Sequence, residues 1–293
     1  MRRKKKLLIF ISAFSLFIFI SLLIINAKGD PINYIYMDLN CGNVTISATT
    51  YTGCIYETID GVTNQLTVTG THLDDNYYYV YQSNAGNKSS TGNVDGEFIL
   101  PVYESLKEVT DSFINEYDVE KVISTWKTEA TSIGRTTTAN RIAITGNKKI
   151  DITIDNIWSS YQQKSTGRQT GGISVVPSSG NKTILKLKGE SRIGNLFYGT
   201  ASNASASNFN FSITSFDGDN ETTGSLTVAN ISSNTDTNYW DSGIGGSDSG
   251  LEATVGLTFN GGTVYVGTTK KDNCTAIGGG GNGYGHVIWW TVS

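Results

Sequence analysis

The side chains of this sequence that could do chemistry are aromatic rings beside polar groups. Exposed aromatic rings can stack on sugar faces, and neighbouring Asp and Arg side chains can bond sugar hydroxyls. Such rings and polar partners are Trp158, Tyr161, Arg168, Tyr198, Tyr239, Trp240 and Asp241. We take these seven as candidate ligand-binding residues; for each ring, packing in the core or at a corner is the alternative.

Catalytic residues find less support in the sequence. The chain has only two histidines and three cysteines, which limits His-based proton transfer and most metal sites. The residues available to a polysaccharide lyase are Asp151, Asp155, Arg168, Asp217, Asp219 and Glu221. Aspartates at turns normally hydrogen-bond their own backbone. We therefore predict no catalytic residues, with a polysaccharide lyase as the enzyme alternative.

Cofactor signals are similarly sparse. The segments FDGDNE (216–221) and SDSG (247–250) offer oxygen ligands for Ca²⁺, but neither follows the EF-hand pattern. The glycine cluster at 278–281 precedes strand-like residues and has no Lys-Ser or Lys-Thr pair after it, so it does not fit a phosphate-binding loop. We predict no cofactor and keep Ca²⁺ binding as the alternative.

The N-terminus carries an export signal or a membrane anchor. Five basic residues, Arg2 to Lys6, precede an apolar run from Leu7 to Ile25. This pattern engages the membrane during export, and the run is nearly long enough to remain as an anchor. We predict a signal or anchor over 1–27 and an extracellular or cell-surface location for the rest, because basic flanks stay in the cytoplasm.

The charge of the exported part argues against nucleic acid as a partner. Without the five basic residues of the targeting segment, 17 Lys and Arg stand against 26 Asp and Glu, a net charge of −9. Such a surface repels phosphate backbones. A polysaccharide, or a glycan of a host or cell wall, is the partner that the exposed-ring hypothesis predicts.

Two cysteines lie close together in the sequence. Twelve residues separate Cys41 from Cys54, and export makes a disulfide that clamps a hairpin reasonable. The alternative is that the cysteines are small, half-buried strand residues, since Cys274 leaves the count odd.

The chain divides into three regions after the targeting segment. Residues 28–100 form a β-rich module whose string YYYVYQ (77–82) fits either a sugar-stacking strip or a strand with rings on both faces. Residues 101–133 carry apolar side chains at spacings of three and four, which predicts a helical segment covering an end or edge of the β structure.

Residues 134–293 favour a β-solenoid. Short strand-like runs are punctuated by Gly, Asn and Asp without helices between them, which is typical of stacked coils whose corners hold Gly or Asn at positive φ. A β-sandwich is the alternative, although its hairpin turns are usually more evenly spaced.

Several segments resemble a protein family. These are IDNIWSSYQQKSTGRQTGGISVVP, LKLKGESRIGNLFYG, GSLTVANI, YWDSGIGGSDSG and LTFNGGTVYVGTTKKDNCTAIGGGGNGYG. They look like the repeated blocks of bacterial surface proteins of Gram-positive gut type with right-handed parallel β-helix architecture, and are more distantly similar to β-helical carbohydrate-binding surface domains. The resemblance implies surface display and adhesion or glycan contact, and it supplies no catalytic residues. We expect a binding or adhesion module; a structural stalk without a ligand and a polysaccharide lyase are the alternatives.

The chain departs from the resemblance at its last residues. The repeats predict a further Gly-rich coil where IWWTVS stands, and Asn-Gly-Gly codons read out of frame yield Trp-Trp. One hypothesis is therefore a truncated or frameshifted C-terminus. The alternative is that Trp289 and Trp290 cap the last coil.

Overall fold

The computed structural model of the chain describes residues 34–83, 138–159, 161, 171–199, 208–230, 243–246, 255–268, 277–278 and 290–292. These residues form 19 strands, numbered β1 to β19 in chain order, which assemble into three sheets. The prediction of a mainly β protein is confirmed: strands dominate, most of them parallel. All described residues belong to one unit, Tyr34–Ser293.

Each of the three sheets combines strands from distant parts of the chain, in the following hydrogen-bonding order. Sheet 1 consists of β1 (Tyr34–Asp38), β5 (Tyr77–Tyr81), β7 (Lys149–Asp155), β10 (Asn181–Lys188), β13 (Phe209–Ser215) and β16 (Leu257–Phe259). Sheet 2 consists of β8 (Trp158–Ser159), β11 (Glu190–Ile193), β14 (Ser225–Asn230), β17 (Thr263–Thr268) and β19 (Trp290–Val292). Sheet 3 consists of β4 (Val62–Thr71), β3 (Thr50–Ile59), β2 (Val44–Ile46), β6 (Ile142–Gly146), β9 (Ile173–Pro177), β12 (Leu196–Tyr198), β15 (Ile244–Gly245) and β18 (Ile277–Gly278).

The chain visits these sheets in a fixed order. From β7 onwards it passes through sheet 1, sheet 2 and sheet 3 in four successive circuits, ending with β16, β17 and β18. Each strand of a circuit pairs in parallel with its counterpart in the preceding circuit. The pairings β2–β3, β3–β4 and β17–β19 are antiparallel. The parallel stacking differs from the antiparallel hairpins of the β-sandwich alternative.

Alternation of apolar and polar residues builds the core. In β7 the three isoleucines, Ile150, Ile152 and Ile154, are fully buried, and the residues between them point to the other side of sheet 1. The parallel register places Ile152 beside Leu185 of β10 and Leu185 beside Ile213 of β13. Apolar side chains of successive circuits therefore stack into continuous rows.

Left-handed backbone conformations mark the corner between sheets 1 and 2. Asn156 has φ 50°, and Gly189, Gly224 and Gly262 occupy the equivalent positions of the next circuits with φ between 63° and 80°. A Cβ atom at Gly224 would overlap the carbonyl oxygen of Leu187. These angles confirm the prediction of Gly and Asn at positive-φ corners. Only residues that tolerate a positive φ allow successive circuits to stack so closely.

A long hairpin extends sheet 3. Its strands β3 and β4 pair over ten residues and turn at Asp60 and Gly61, both at positive φ, as a two-residue hairpin turn requires. Cys41 and Cys54 form a disulfide with Cα atoms 5.7 Å apart, and this bond ties β3 to the turn after β1.

A buried histidine joins the end of this hairpin to sheet 1. His72 Nε2 lies 3.0 Å from the Lys149 carbonyl oxygen, which can only accept, so Nε2 carries the proton. The Tyr78 hydroxyl then donates to His72 Nδ1 over 2.6 Å. Burial lowers the pKa of His72 and raises the pKa of Tyr78. The pair therefore stays neutral and fixes β4 against β7.

Two regions defined from the sequence meet in the same sheets. Residues 34–83 and residues 138–268 both contribute strands to sheets 1 and 3, through the pairs β5–β7 and β2–β6. The targeting segment 1–27 and the predicted helical segment 101–133 lie outside the described residues. Within the part of the chain that is described, no helix combines the length and apolarity needed to cross a membrane.

Candidate functional site

The outward side of sheet 1 carries an unusual set of side chains. They alternate with the core residues of β1, β5, β7 and β10 and come from strands that are adjacent in the sheet. We call this set the tyrosine–lysine face; it consists of Tyr34, Tyr36, Tyr77, Tyr79, Lys149, Asp151, Thr153, Asp155, Lys182, Lys186 and Lys188.

Four tyrosines form one half of the face. The parallel register sets Tyr34 beside Tyr77 and Tyr36 beside Tyr79. The ring centroids of Tyr36 and Tyr79 lie 5.1 Å apart, and those of Tyr34 and Tyr79 lie 5.6 Å apart. Tyr36 is 52% exposed, whereas Tyr79 is 8% exposed. The buried Tyr79 ring and the half-buried Tyr34 ring pack against the exposed Tyr36 ring, which is the preorganisation that a stacking platform needs.

Lys186 crosses β7 to reach the tyrosine half. Its Nζ atom lies 3.0 Å from Asp151 Oδ2 and 5.7 Å from the centroid of the Tyr77 ring. The opposite charge and the ring both favour the ammonium group at this position. Thr153 lies on the outward side of β7 and is fully buried.

Lys188 makes the equivalent crossing to Tyr79. Its Nζ atom donates to the Tyr79 hydroxyl over 2.6 Å and lies 3.6 Å from Asp155 Oδ2, while the Tyr79 hydroxyl itself donates to Asp155. Burial, then the hydrogen bond to Asp155, raises the pKa of Tyr79, and the hydrogen bond to Tyr79 raises the pKa of Lys188. Both groups stay protonated at neutral pH. They are therefore suited to donate hydrogen bonds and poorly suited to remove a proton from a substrate.

Two polar atoms of the face have no hydrogen-bond partner. Asp151 Oδ1 and Thr153 Oγ1 are both buried and unpaired. Unpaired buried polar atoms are costly in a fold. Their position on neighbouring outward sites of β7 makes the face a better candidate site than a solvated strand surface.

Trp158 and Tyr198, two of the predicted stacking residues, lie inside the protein. Trp158 is 1% exposed; its indole N–H donates to the Glu190 carbonyl, and the Arg192 guanidinium lies 4.5 Å from the ring centroid. Tyr198 is fully buried, and its hydroxyl donates to the Val255 carbonyl. Burial raises the pKa of Tyr198 to about 12. Neither ring offers a surface for sugar stacking in this arrangement, because Tyr198 belongs to the apolar core and Trp158 is buried against the Arg192 side chain.

The other predicted residues are placed differently. Tyr161 is half-buried, with the Arg141 guanidinium 5.2 Å from its ring centroid. Arg168, Tyr239, Trp240 and Asp241 lie outside the described residues. The structure thus brings none of the described candidates together on one exposed surface.

Four of the carboxylates considered for a lyase or for Ca²⁺ have partners within the protein. Asp151 and Asp155 pair with lysines of the face. Asp217 and Asp219 accept hydrogen bonds from Thr223 and Thr214 of their own turn. Among the described residues, no group of three His, Cys, Asp or Glu side chains converges on a point that could hold a metal ion.

The sequence contains a signal for the tyrosine half that the seven candidate residues do not include. The segments YIY (34–36) and YYY (77–79) both place tyrosines two residues apart, and Tyr78 is buried between its two outward neighbours. The interpretation of 77–82 as a strand with rings on both faces agrees with this arrangement. Only the pairing of β1 with β5 reveals that the two segments share one surface.

No family model matches the chain, and neither a curated protein nor a solved structure is significantly similar to it.

Proposed function

We propose that this protein is an exported cell-surface binding or adhesion module, and that its tyrosine–lysine face contacts glycans. The exposed ring of Tyr36, which packs against Tyr79 on a face that also carries lysines and aspartates, carries this proposal. Aromatic rings stack on the apolar sides of sugar rings, and ammonium and carboxylate groups bond their hydroxyls. The export signal or membrane anchor predicted over residues 1–27 supports the location.

The proposed scaffold is a right-handed parallel β-helix, as the resemblance to Gram-positive surface proteins implies. Four circuits through three parallel sheets in constant order support a helical coil. The right hand is the one that connections between parallel strands take in nearly all proteins. A flat sheet that grows by one strand per coil, about 4.8 Å each, suits an extended polysaccharide.

A binding experiment with two matched tyrosine variants tests the function. The full-length chain, purified in mild detergent, is applied to an array of neutral and acidic glycans. We expect saturable binding that Tyr36→Ala weakens at least tenfold, because the exposed ring is lost. Tyr56, a tyrosine of the hairpin that is 43% exposed, supplies the control: Tyr56→Ala leaves binding unchanged.

Three outcomes would contradict the proposal. A folded protein that binds no glycan would favour the structural stalk. Equal losses of glycan binding for Tyr36→Ala and Tyr56→Ala would show that the tyrosine–lysine face is not the binding surface. Ultraviolet absorbance from unsaturated sugar products would favour the polysaccharide lyase.

A further inference from the structure

Four lysines project from the outward side of β7 and β10, and two of them differ from the others. Lys186 and Lys188 each pair with an aspartate of β7. Lys149 and Lys182 are instead register partners of each other on adjacent parallel strands. Neither forms an ion pair with a carboxylate among the described residues. The row formed by Lys149 and Lys182 is therefore an uncompensated pair of positive charges.

We propose that this row binds the anionic group of an acidic polysaccharide, so that the tyrosine–lysine face prefers acidic to neutral glycans. The inference rests on the proposed function, since it assigns a ligand class to the same face. The chemistry required is a carboxylate or sulfate that lies between the two ammonium groups and forms charge-assisted hydrogen bonds with both.

The cost of the lysine pair supports this assignment. Like charges directly opposite each other on neighbouring strands destabilise a sheet, and the register fixes these two side chains on the same side. An anion between them converts this repulsion into two attractive contacts. The Lys149 ammonium lies near the Tyr77 ring of β5, which relieves part of this repulsion in the free protein, and a bound anion would relieve the rest.

The position of the pair relative to the tyrosines also fits a sugar acid. Lys149 Nζ lies 5.7 Å from the centroid of the Tyr77 ring, so the cation adjoins the aromatic half of the face. In register, Lys149 lies two strands and four residues away from Tyr36. A polysaccharide on the face would therefore place one sugar on the Tyr36 ring and the acidic group of another sugar beside Lys149.

The row is positively charged, whereas the net charge of the chain is negative. The adjacent Lys148 lies 3.7 Å from Asp74, and both side chains are largely exposed. The exported part of the chain, with 17 basic and 26 acidic residues, has a net charge of −9. Because such a protein repels anions over most of its surface, binding of an acidic polysaccharide needs a site where positive charge is concentrated.

Binding of charged and neutral polysaccharides by the full-length chain tests the inference. The probes are polygalacturonate and its neutral methyl ester, together with dextran sulfate and dextran, so that carboxylate and sulfate are distinguished. We expect acidic probes to bind at least tenfold more tightly than their neutral counterparts at low salt. The double variant Lys149→Gln/Lys182→Gln removes this preference and flattens the salt dependence of binding by the acidic probes.

Control variants separate the row from general surface charge. Lys148→Gln removes a neighbouring lysine that already has a partner, so the preference remains. Lys182→Arg keeps the charge and restores binding of acidic probes relative to Lys182→Gln. The inference would be overturned if Lys148→Gln lost as much of the preference for acidic probes as the double variant does.

Stability without ligand provides a readout that does not depend on any glycan. Lys182→Gln removes the repulsion, so the urea midpoint of the free protein rises; a fall would overturn the argument from like charges. If Tyr36→Ala abolishes binding but the double lysine variant binds acidic probes normally, the proposed function stands and this inference fails. If no polysaccharide binds, both fail.

Discussion

The tyrosine–lysine face and the β3–β4 hairpin both expose a tyrosine, but the two surroundings differ. Tyr36 lies among other tyrosine rings at centroid distances of 5.1 to 6.1 Å. Tyr56 has one hydrogen bond, a long one of 3.5 Å to the Asn40 carbonyl. Exposure alone therefore does not define a binding surface. Neighbouring rings and charges, fixed by buried strands, separate the face from the hairpin.

The two regions also differ in the buried residues that support them. Under the face lies a continuous core that includes Ile152 and Leu185. The hairpin has ten-residue strands whose distal part exposes Ile59 and Val62, with a cross-link near its base. We infer that the face is the rigid region and that the hairpin depends on the disulfide and on its junction with sheet 1.

The largest expected effect is on the free energy of unfolding, when a core residue under the face is replaced. A residue in the hairpin provides the comparison. Ile152→Ala should lower the free energy of unfolding by about 2–5 kcal/mol, because it opens a cavity in a core that cannot fully collapse. Val62→Ala should change it by less than about 0.5 kcal/mol, since Val62 is 60% exposed. Urea unfolding followed by circular dichroism measures both. Similar losses would contradict the difference in support.

Removing the disulfide tests how far the stability of the hairpin and glycan binding by the face depend on it. Replacing both Cys41 and Cys54 by Ser should lower the free energy of unfolding by about 3 kcal/mol, because a closed loop of this size restricts the unfolded chain. The same urea experiment measures the loss, with Cys274→Ser as the control for removing a thiol. Glycan binding by Tyr36 should survive under native conditions. Loss of binding together with the disulfide would show that the face depends on the hairpin.

Substituting one carboxylate of an ion pair in each region is expected to have a smaller effect on stability. Asp155→Asn removes the negative charge that the Tyr79 hydroxyl and Lys188 both contact, so stability should fall by about 1 kcal/mol. The pKa of Tyr79 should also fall, because the hydrogen bond to Asp155 helps to raise it. Carbon-13 NMR of labelled tyrosines follows this titration.

The control for this variant is the ion pair beside the hairpin. Asp74→Asn breaks a pair with Lys148 whose side chains are 64% and 49% exposed, so we expect almost no change in stability, since water screens such pairs. A cost at Asp74 as large as that at Asp155 would contradict the distinction.

Part of the fold was predictable from the sequence because it depends on local pattern. The alternation in KIDITID defines both sides of β7, and the residues IDGV are typical of a hairpin turn, since Asp and Gly tolerate positive φ. The site was less predictable. Trp158 and Tyr198 were predicted as stacking residues from their chemistry, but the burial of each ring depends on strands that are distant in the sequence.

The sequence by itself determined the mainly β character, the strand periodicity and the corner residues, since each follows from the preferences of neighbouring residues in the chain. Only the tertiary structure decided which strands lie side by side. The pairing of β1 with β5 made one surface of Tyr36 and Tyr79, and the pairing of β7 with β10 placed Lys149 opposite Lys182. Register between distant segments is set by the shared burial of their apolar sides, and no short stretch of sequence contains that information.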